Sequence, residues 1–273
     1  MLTNGEYTCN VCSHVNLSID RLKKLFYYNV VLTSDTKALS FISTLRTEEL
    51  VRAAVKALHL ESSVSVESCT RILQLCEGLE ELSLHVPVFP RHAITSSFDS
   101  PAKPLLPHLY KFYKLRSLTI NLSTIFVGDE AVYLPRVPLF ERITHLHITN
   151  AWVLWCRSTG LESLANLTHL SLHISTLHVH VHHLRTLLRS DRLQVLVLWR
   201  REPETYNHVQ CCLSSIHIRD ARIVIMNNAL FREYTHEEHA FWDYVGAMVS
   251  WRKASMGKIS RTHWLVTYKN SCS

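Results

Sequence analysis

The amino-acid sequence predicts an α/β solenoid with parallel strands along a concave face and helices along a convex face. Three observations support this fold class. A six-residue pattern, apolar-x-x-apolar-x-apolar, occurs seven times and begins at Val55, Leu79, Leu115, Ile143, Leu167, Leu193 and Ala221. Successive copies begin 24, 36, 28, 24, 26 and 28 residues apart, and most of these spacings fit the period of about 20–29 residues typical of leucine-rich repeats. Helical patterns occupy several of the intervals between copies.

The spacing within each copy explains why this pattern predicts a solenoid. The last two apolar positions are two residues apart, so they share one face of a strand. The remaining residues of each unit lead to the next parallel strand. Two parallel strands must be joined by a crossover connection, which is usually a helix. Each unit then buries its leucines against its neighbours. The alternative is a doubly wound α/β sheet. A nucleotide-binding sheet of that kind needs a glycine-rich turn after a strand, and the sequence has no such turn.

The elements follow in order along residues 25–234, the predicted leucine-rich-repeat-like solenoid. Residues 25–32 are predicted to be a strand, and Ser34 is a predicted N-cap for the helix that follows. Further helical patterns cover residues 48–57, 68–76, 158–166 and 182–189. Residues 87–107 and 128–138 contain prolines and are predicted to be surface loops. Residues 1–24 are predicted to be an N-terminal cap or the remnant of another module.

The C-terminal part of the chain predicts a helix over residues 235–255, followed by a basic tail over residues 256–273. Thr235 is the predicted N-cap, and acidic residues occupy the first turn. Apolar side chains recur at three- and four-residue spacing, namely Phe241, Trp242, Val245, Met248, Val249 and Trp251. The pattern favours a capping helix that closes the last repeat, and a partner-binding amphipathic helix is the alternative.

Composition narrows the functional class. Hydrophobic residues make up 47% of the 273 residues, charged residues make up 19%, and the net charge is +6, so a well-packed core is expected. The sequence shows no membrane span and no secretory signal, and its eight cysteines lack the spacing of a disulfide framework. We therefore expect a cytoplasmic or nuclear protein that binds neither membrane nor nucleic acid, since the concave strand positions also lack Lys and Arg.

The concave face is predicted from the residues that alternate with the leucines. It is expected to be rich in histidine, polar in the middle and apolar at its C-terminal end, with Trp199 as an anchor for a protein partner. Parallel strands lie about 4.8 Å apart, which places His145 beside His169 and His147 beside Ser171. Clustered histidines would make binding sensitive to pH near 6–7. The predicted partner-binding residues are His59, Glu81, His85, Thr119, His145, His147, His169, His173 and Trp199.

Two local patterns resemble metal sites without completing one. Cys9, Cys12 and His14 have the first half of a zinc-ligand spacing, but no second pair follows nearby. Histidines at 178, 180, 182 and 183 alternate in part without a carboxylate or cysteine close by. The sequence also lacks a nucleophile elbow. We expect no metal, no cofactor and no catalytic residues, so the protein is not predicted to be an enzyme.

The repeat segments resemble those of mushroom-type fungal F-box proteins with leucine-rich repeats. The likeness covers roughly residues 9–255 and is carried by residues 26–34, 72–84, 164–172 and 220–226 and by the Phe241-Trp242 pair. In that family an N-terminal F-box docks a Skp-type adaptor and so a cullin ubiquitin ligase, while the repeats bind the substrate. Here residues 9–16 resemble only the closing helix of an F-box, and a Leu-Pro-x-Glu opening is absent.

Together these observations predict a non-catalytic protein-interaction scaffold related to F-box substrate receptors, binding a protein partner on its concave face. One alternative is a functional F-box substrate adaptor whose gene model is truncated at the start, with a Skp-type adaptor as partner only if a complete F-box lies upstream. The other alternative is a histidine-dependent metal-binding protein.

Overall fold

In the computed structural model, one sheet of eight parallel strands runs through the chain, and the strands lie side by side in sequence order. The structure describes residues 21–85, 105–126, 132–151, 159–174, 181–200, 213, 218, 220–227 and 238–255. The strands are β1 (Asn29–Leu32), β2 (Ala57–Leu60), β3 (Glu81–Leu84), β4 (Ser117–Ile120), β5 (His145–Ala151), β6 (His169–His173), β7 (Val195–Arg200) and β8 (Ile223–Asn227). This confirms the predicted α/β class and is consistent with a leucine-rich-repeat-like arrangement.

Helices alternate with the strands along the chain. They are α1 (Asp35–Thr47), α2 (Glu49–Ala54), α3 (Val66–Leu75), α4 (Leu106–Leu109), α5 (Pro138–Glu141), α6 (Val181–Leu188) and α7 (Glu238–Ser255). Short 3-10 turns form at Leu122–Thr124, Leu134–Arg136 and Leu161–Ser163. We call the sheet face that carries the leucines the helix side, and the opposite face the concave face.

Two rows of apolar side chains run along the helix side and form the main core. The first row contains Leu58, Leu82, Leu118, Leu146, Leu170 and Leu196, and the second contains Leu60, Leu84, Ile120, Ile148, Leu172 and Leu198. Every one of these side chains is buried in a single hydrophobic cluster. Because consecutive residues of a strand point to opposite faces, the same register sends the intervening polar residues to the concave face.

The residue that precedes each strand extends the ladder of hydrogen bonds between repeats. The Arg116 amide donates to the Glu80 carbonyl at 2.8 Å, and the Arg116 carbonyl accepts from the Thr144 amide at 2.9 Å. The Thr144 carbonyl accepts in turn from the Thr168 amide at 2.9 Å. These bonds hold adjacent repeats in one register, and that register sets the positions of the concave side chains.

Side-chain caps fix the helices of the first two repeats. The Ser34 hydroxyl accepts from the Lys37 amide, as predicted for the N-cap of α1. Ser65 caps α3 in the same way, and its amide and hydroxyl donate to the Asp35 carboxylate at 3.0 and 2.8 Å. Side-chain hydrogen bonding by Ser68 is the largest cause of a lowered Asp35 pKa, and these two hydrogen bonds from Ser65 lower it as well. The start of α1 is thereby joined to the start of α3.

The start of the chain differs from the prediction of a strand over residues 25–32. Residues 21–26 are helical, and β1 begins only at Asn29. The Tyr27 amide donates to the Lys23 carbonyl at 3.0 Å, which is the bond of a helical turn. Leu22, Leu25 and Phe26 are apolar at three- and four-residue spacing, a period that fits a helix and that the sequence analysis missed.

Candidate functional site: the concave face beneath the C-terminal helix

Helix α7 packs on the concave face of the last two strands. Its buried side chains Phe241, Trp242, Val245 and Val249 form a second hydrophobic cluster with residues of β7 and β8. Those strand residues are Val195, Val197, Trp199, Val224 and Met226, which alternate with the leucines of the main core. The apolar C-terminal end predicted for the concave face is therefore the surface on which α7 packs.

The two ends of α7 define the span of its contact. Near its start, the His239 imidazole forms an ion pair with the Glu81 carboxylate on β3. Near its end, the buried Arg252 guanidinium donates to the Ile223 carbonyl on β8. The contacts of the helix thus reach from β3 to β8.

Two stacked imidazoles lie directly beneath Trp242. The rings of His145 and His169 are 4.1 Å apart between centroids and nearly parallel, at 15°. The Trp242 ring meets both of them edge-on, at 5.5 and 5.4 Å. The Thr144 hydroxyl lies 2.8 Å from His145 Nδ1, and the Thr168 hydroxyl lies 2.8 Å from His169 Nδ1. Each threonine hydroxyl also donates to a backbone carbonyl of the preceding repeat, Thr144 to Arg116 and Thr168 to Thr144, so the two repeats hold their histidines in the same way.

A second aromatic group lies one row further along the same strands. Trp199 stacks against His173 at 4.4 Å and against His147 at 5.5 Å between centroids. The Phe241 ring approaches His147 edge-on at 6.4 Å. His147, His173 and Trp199 are all buried, so Trp199 packs inside this chain and is not an exposed anchor.

The remaining predicted site residues lie toward the N-terminal strands. His59 and His85 are 5.0 Å apart between ring centroids. His59 Nε2 lies 3.0 Å from a Glu61 carboxylate oxygen, and His85 Nε2 lies 3.0 Å from the Ser83 hydroxyl. Thr119 pairs in register with His147. The structure therefore divides the predicted residues into a group under or beside α7 (Glu81, His145, His147, His169, His173 and Trp199) and a group around β2 to β4 (His59, His85 and Thr119).

Burial changes the acid–base behaviour predicted for the concave histidines. Burial, followed by the nearby His169 and His239, lowers the pKa of His145 to about 4, while Asp243 opposes this shift. Burial also lowers the pKa of His169 to about 4. The pKa of His147 lies well below its ordinary value, first because of burial and then because of His85 and His173. Titration of these groups near pH 6–7 was therefore a wrong expectation.

The described residues hold no recognisable metal centre. No group of three or more His, Cys, Asp or Glu side chains comes together in a metal-binding arrangement within that part of the chain. His182 and His183 lie in α6, whereas His178, His180, Cys9, Cys12 and His14 lie outside the described residues. Burial raises the pKa values of the Cys69 and Cys76 thiols to about 12, which makes them poor nucleophiles.

The apolar pattern of residues 235–255 predicts the helix but not the surface on the concave face against which it packs. The available signal was the series of apolar side chains at the concave positions of β7, namely Val195, Val197 and Trp199. Such a series needs a covering element, and the apolar face of α7 supplies it. Among the described helices, none is long and apolar enough to cross a membrane.

Comparison with known proteins returns no match to a family model, to a curated protein or to a solved structure.

Proposed function

We propose that the chain is a non-catalytic protein-interaction scaffold, related to F-box substrate receptors, whose concave face binds a protein partner. The observation that carries the proposal is the docking of α7, in which Phe241 and Trp242 pack on Trp199 and the concave histidines. A sheet face that accepts an aromatic helix has the shape and chemistry of a protein-binding groove. The relation to F-box receptors is supported by the sequence resemblance alone.

The chemistry of the face favours binding over catalysis. The imidazoles of His145 and His169 stack on each other and meet Trp242 edge-on, and burial is the largest cause that lowers their pKa values to about 4. A general base at neutral pH works best with a pKa near the working pH and with access to substrate. We place the protein in the cytoplasm or nucleus, where the free thiols of Cys69 and Cys76 would remain reduced.

Site-specific photo-cross-linking tests this proposal. The photoreactive residue p-benzoylphenylalanine would replace His85 or Thr149, two partly exposed concave positions, in the full chain. Leu39, an exposed residue of α1 on the helix side, is the matched control position. After irradiation in an extract of the cells that express the chain, adducts would be identified by mass spectrometry. Each captured protein would then be purified and tested for binding again.

We expect one and the same protein to be captured at both concave positions and not at Leu39, and to bind again in purified form. Capture at Leu39 alone, or no capture at the concave positions, would contradict the assignment of the binding face.

A further inference from the structure

The contacts of α7 are separate from the main core of the solenoid. The hydrophobic cluster of leucines contains no residue of α7, whereas Phe241, Trp242, Val245 and Val249 all belong to the concave-face cluster. Removing α7 from the face would therefore leave no cavity among the leucines. This geometry allows the repeats to stay folded when α7 is not docked.

Part of the surface under α7 is poorly suited to a permanent core. β7 and β8 present aliphatic and aromatic side chains to the helix, but β5 and β6 present His145, His147 and His169. Ser171, in register between His147 and Val197, is fully buried, and its hydroxyl has no hydrogen-bond partner in the part of the chain that the structure describes. Burying polar groups without a partner costs free energy. The face thus retains hydrogen-bonding capacity that α7 leaves unused.

The helix itself is intrinsically weak. Gly246 lies in its middle, and a Cβ added there would meet no atom within 4 Å. Phe241, Trp242, Val245 and Val249 are also modest helix formers compared with alanine or leucine. A single helix of 18 residues with this composition is marginal in water, so its helicity depends on packing against the concave face. A competitor for that face would therefore displace α7 and melt it.

We infer that the concave surface beneath α7 is a receptor site for an amphipathic helix of a partner protein, and that α7 occupies the site in cis until it is displaced. The partner helix is expected to present two adjacent aromatic side chains, followed by aliphatic side chains three to four and seven to eight residues later, as α7 does. A hydrogen-bonding side chain on the same face would use the Ser171 hydroxyl. This inference deepens the proposed function and rests on it.

Two substitutions in α7 act on its docking in opposite directions. Trp242→Ala removes the ring that covers His145 and His169, which weakens docking in cis. Gly246→Ala strengthens the helix without a clash, which favours docking in cis. Trp251→Ala is the matched control, because Trp251 lies on the same helix but is 54% exposed.

The probe is a fluorescein-labelled peptide of the sequence Glu238–Ser255, added in trans to the full chain and followed by fluorescence anisotropy. Trp242→Ala is expected to increase the apparent affinity at least about tenfold over wild type. The apparent affinity is the intrinsic affinity multiplied by the fraction of molecules whose site is not occupied by α7, and this fraction rises when docking is weakened. Gly246→Ala is expected to reduce it about fivefold, the factor that corresponds to the helix propensity gained. Trp251→Ala is expected to match wild type, and a peptide with both Phe241 and Trp242 replaced by alanine is expected not to bind.

Hydrogen exchange and circular dichroism of each variant keep the outcomes interpretable. The inference is overturned if the peptide fails to bind Trp242→Ala although hydrogen exchange shows that α7 has lost its protection while β2 to β6 keep theirs. It is also overturned if Trp242→Ala and Gly246→Ala change the affinity in the same direction. Cross-linking of a protein at His85 and Thr149 without peptide binding would leave the proposed function standing and reject the helical partner. Peptide binding without a captured protein would reject the proposed function instead.

Discussion

Acidification perturbs the stacked imidazoles of His145 and His169 beneath Trp242. Each has a pKa of about 4 in the folded chain, against an ordinary value of 6.5. Each pH unit between these values corresponds to about 1.4 kcal/mol per group, which gives about 4 kcal/mol for the pair at about pH 5. Both side chains are partly exposed, so solvent screening reduces this to about 2 kcal/mol.

The sign follows from which state binds the protons. Below about pH 6.5 the unfolded chain takes up protons on both imidazoles, while the folded chain resists them because the rings are partly buried. The free energy of unfolding is therefore fully retained above about pH 6.5 and falls as the pH drops toward 4. Near neutral pH, which lies above this window, both imidazoles stay neutral and do not oppose the docking of α7.

Urea unfolding followed by circular dichroism at about pH 7, 6 and 5 measures this effect. The double variant His145→Phe/His169→Phe keeps two flat rings but removes both titrating groups. Between pH 7 and pH 5 it should lose about 2 kcal/mol less stability than wild type. His182→Phe, at an exposed position of α6, should follow wild type. An identical pH dependence for wild type and the double variant, within about 0.5 kcal/mol, would refute the linkage to these two imidazoles.

Three further outcomes are expected. Trp242→Ala should lower the free energy of unfolding by about 3–5 kcal/mol, as for other buried aromatic truncations, whereas Trp251→Ala should change it by less than about 0.5 kcal/mol. Urea titration compares the two variants, and equal losses of stability would contradict the placement of α7. Gly160→Ala should lower the free energy of unfolding by at least about 1–2 kcal/mol, because Gly160 has φ +66° and a Cβ there would clash with the Tyr133 ring; an unchanged melting temperature would contradict this. Cys69 and Cys76 should resist iodoacetamide in the native chain and react after unfolding, as read by peptide mass spectrometry; rapid native alkylation would contradict their burial.

The register of the concave face could be predicted from the sequence because two constraints act together. The period of two within each strand assigns every residue to a face, and the repeat aligns equivalent positions in neighbouring strands. The prediction that His145 lies beside His169 and His147 beside Ser171 is confirmed by the strand pairing. The leucine positions permit no other register without exposing a full row of apolar side chains.

The position of α7 could not be predicted in the same way. The three- and four-residue spacing of Phe241, Trp242, Val245 and Val249 identifies an apolar helix face but not the surface that it covers. Both the end of the array and the apolar part of the concave face were open to it. Long-range packing places α7 on the concave face of the last strands, where Trp242 also covers His145 and His169.

The start of β1 was mispredicted for a local reason. Leu25, Phe26, Tyr27 and Tyr28 favour strands by residue type, yet Leu22, Leu25 and Phe26 also share one helix face. The helical hydrogen bond from the Tyr27 amide to the Lys23 carbonyl resolves the ambiguity in favour of the helix.

The most direct test of α7 as the resident occupant of the partner site is to lock it in place reversibly. Glu81 and His239 form an ion pair between β3 and α7, so Glu81→Cys/His239→Cys allows a reducible bis-methanethiosulfonate reagent to tether the helix to the concave face. We predict that the tethered chain no longer binds the Glu238–Ser255 peptide and that reduction with dithiothreitol restores the binding of the untethered variant, with wild type carried through the same treatment as control. Equal peptide binding before and after reduction, with the tether verified by mass spectrometry, would contradict the account.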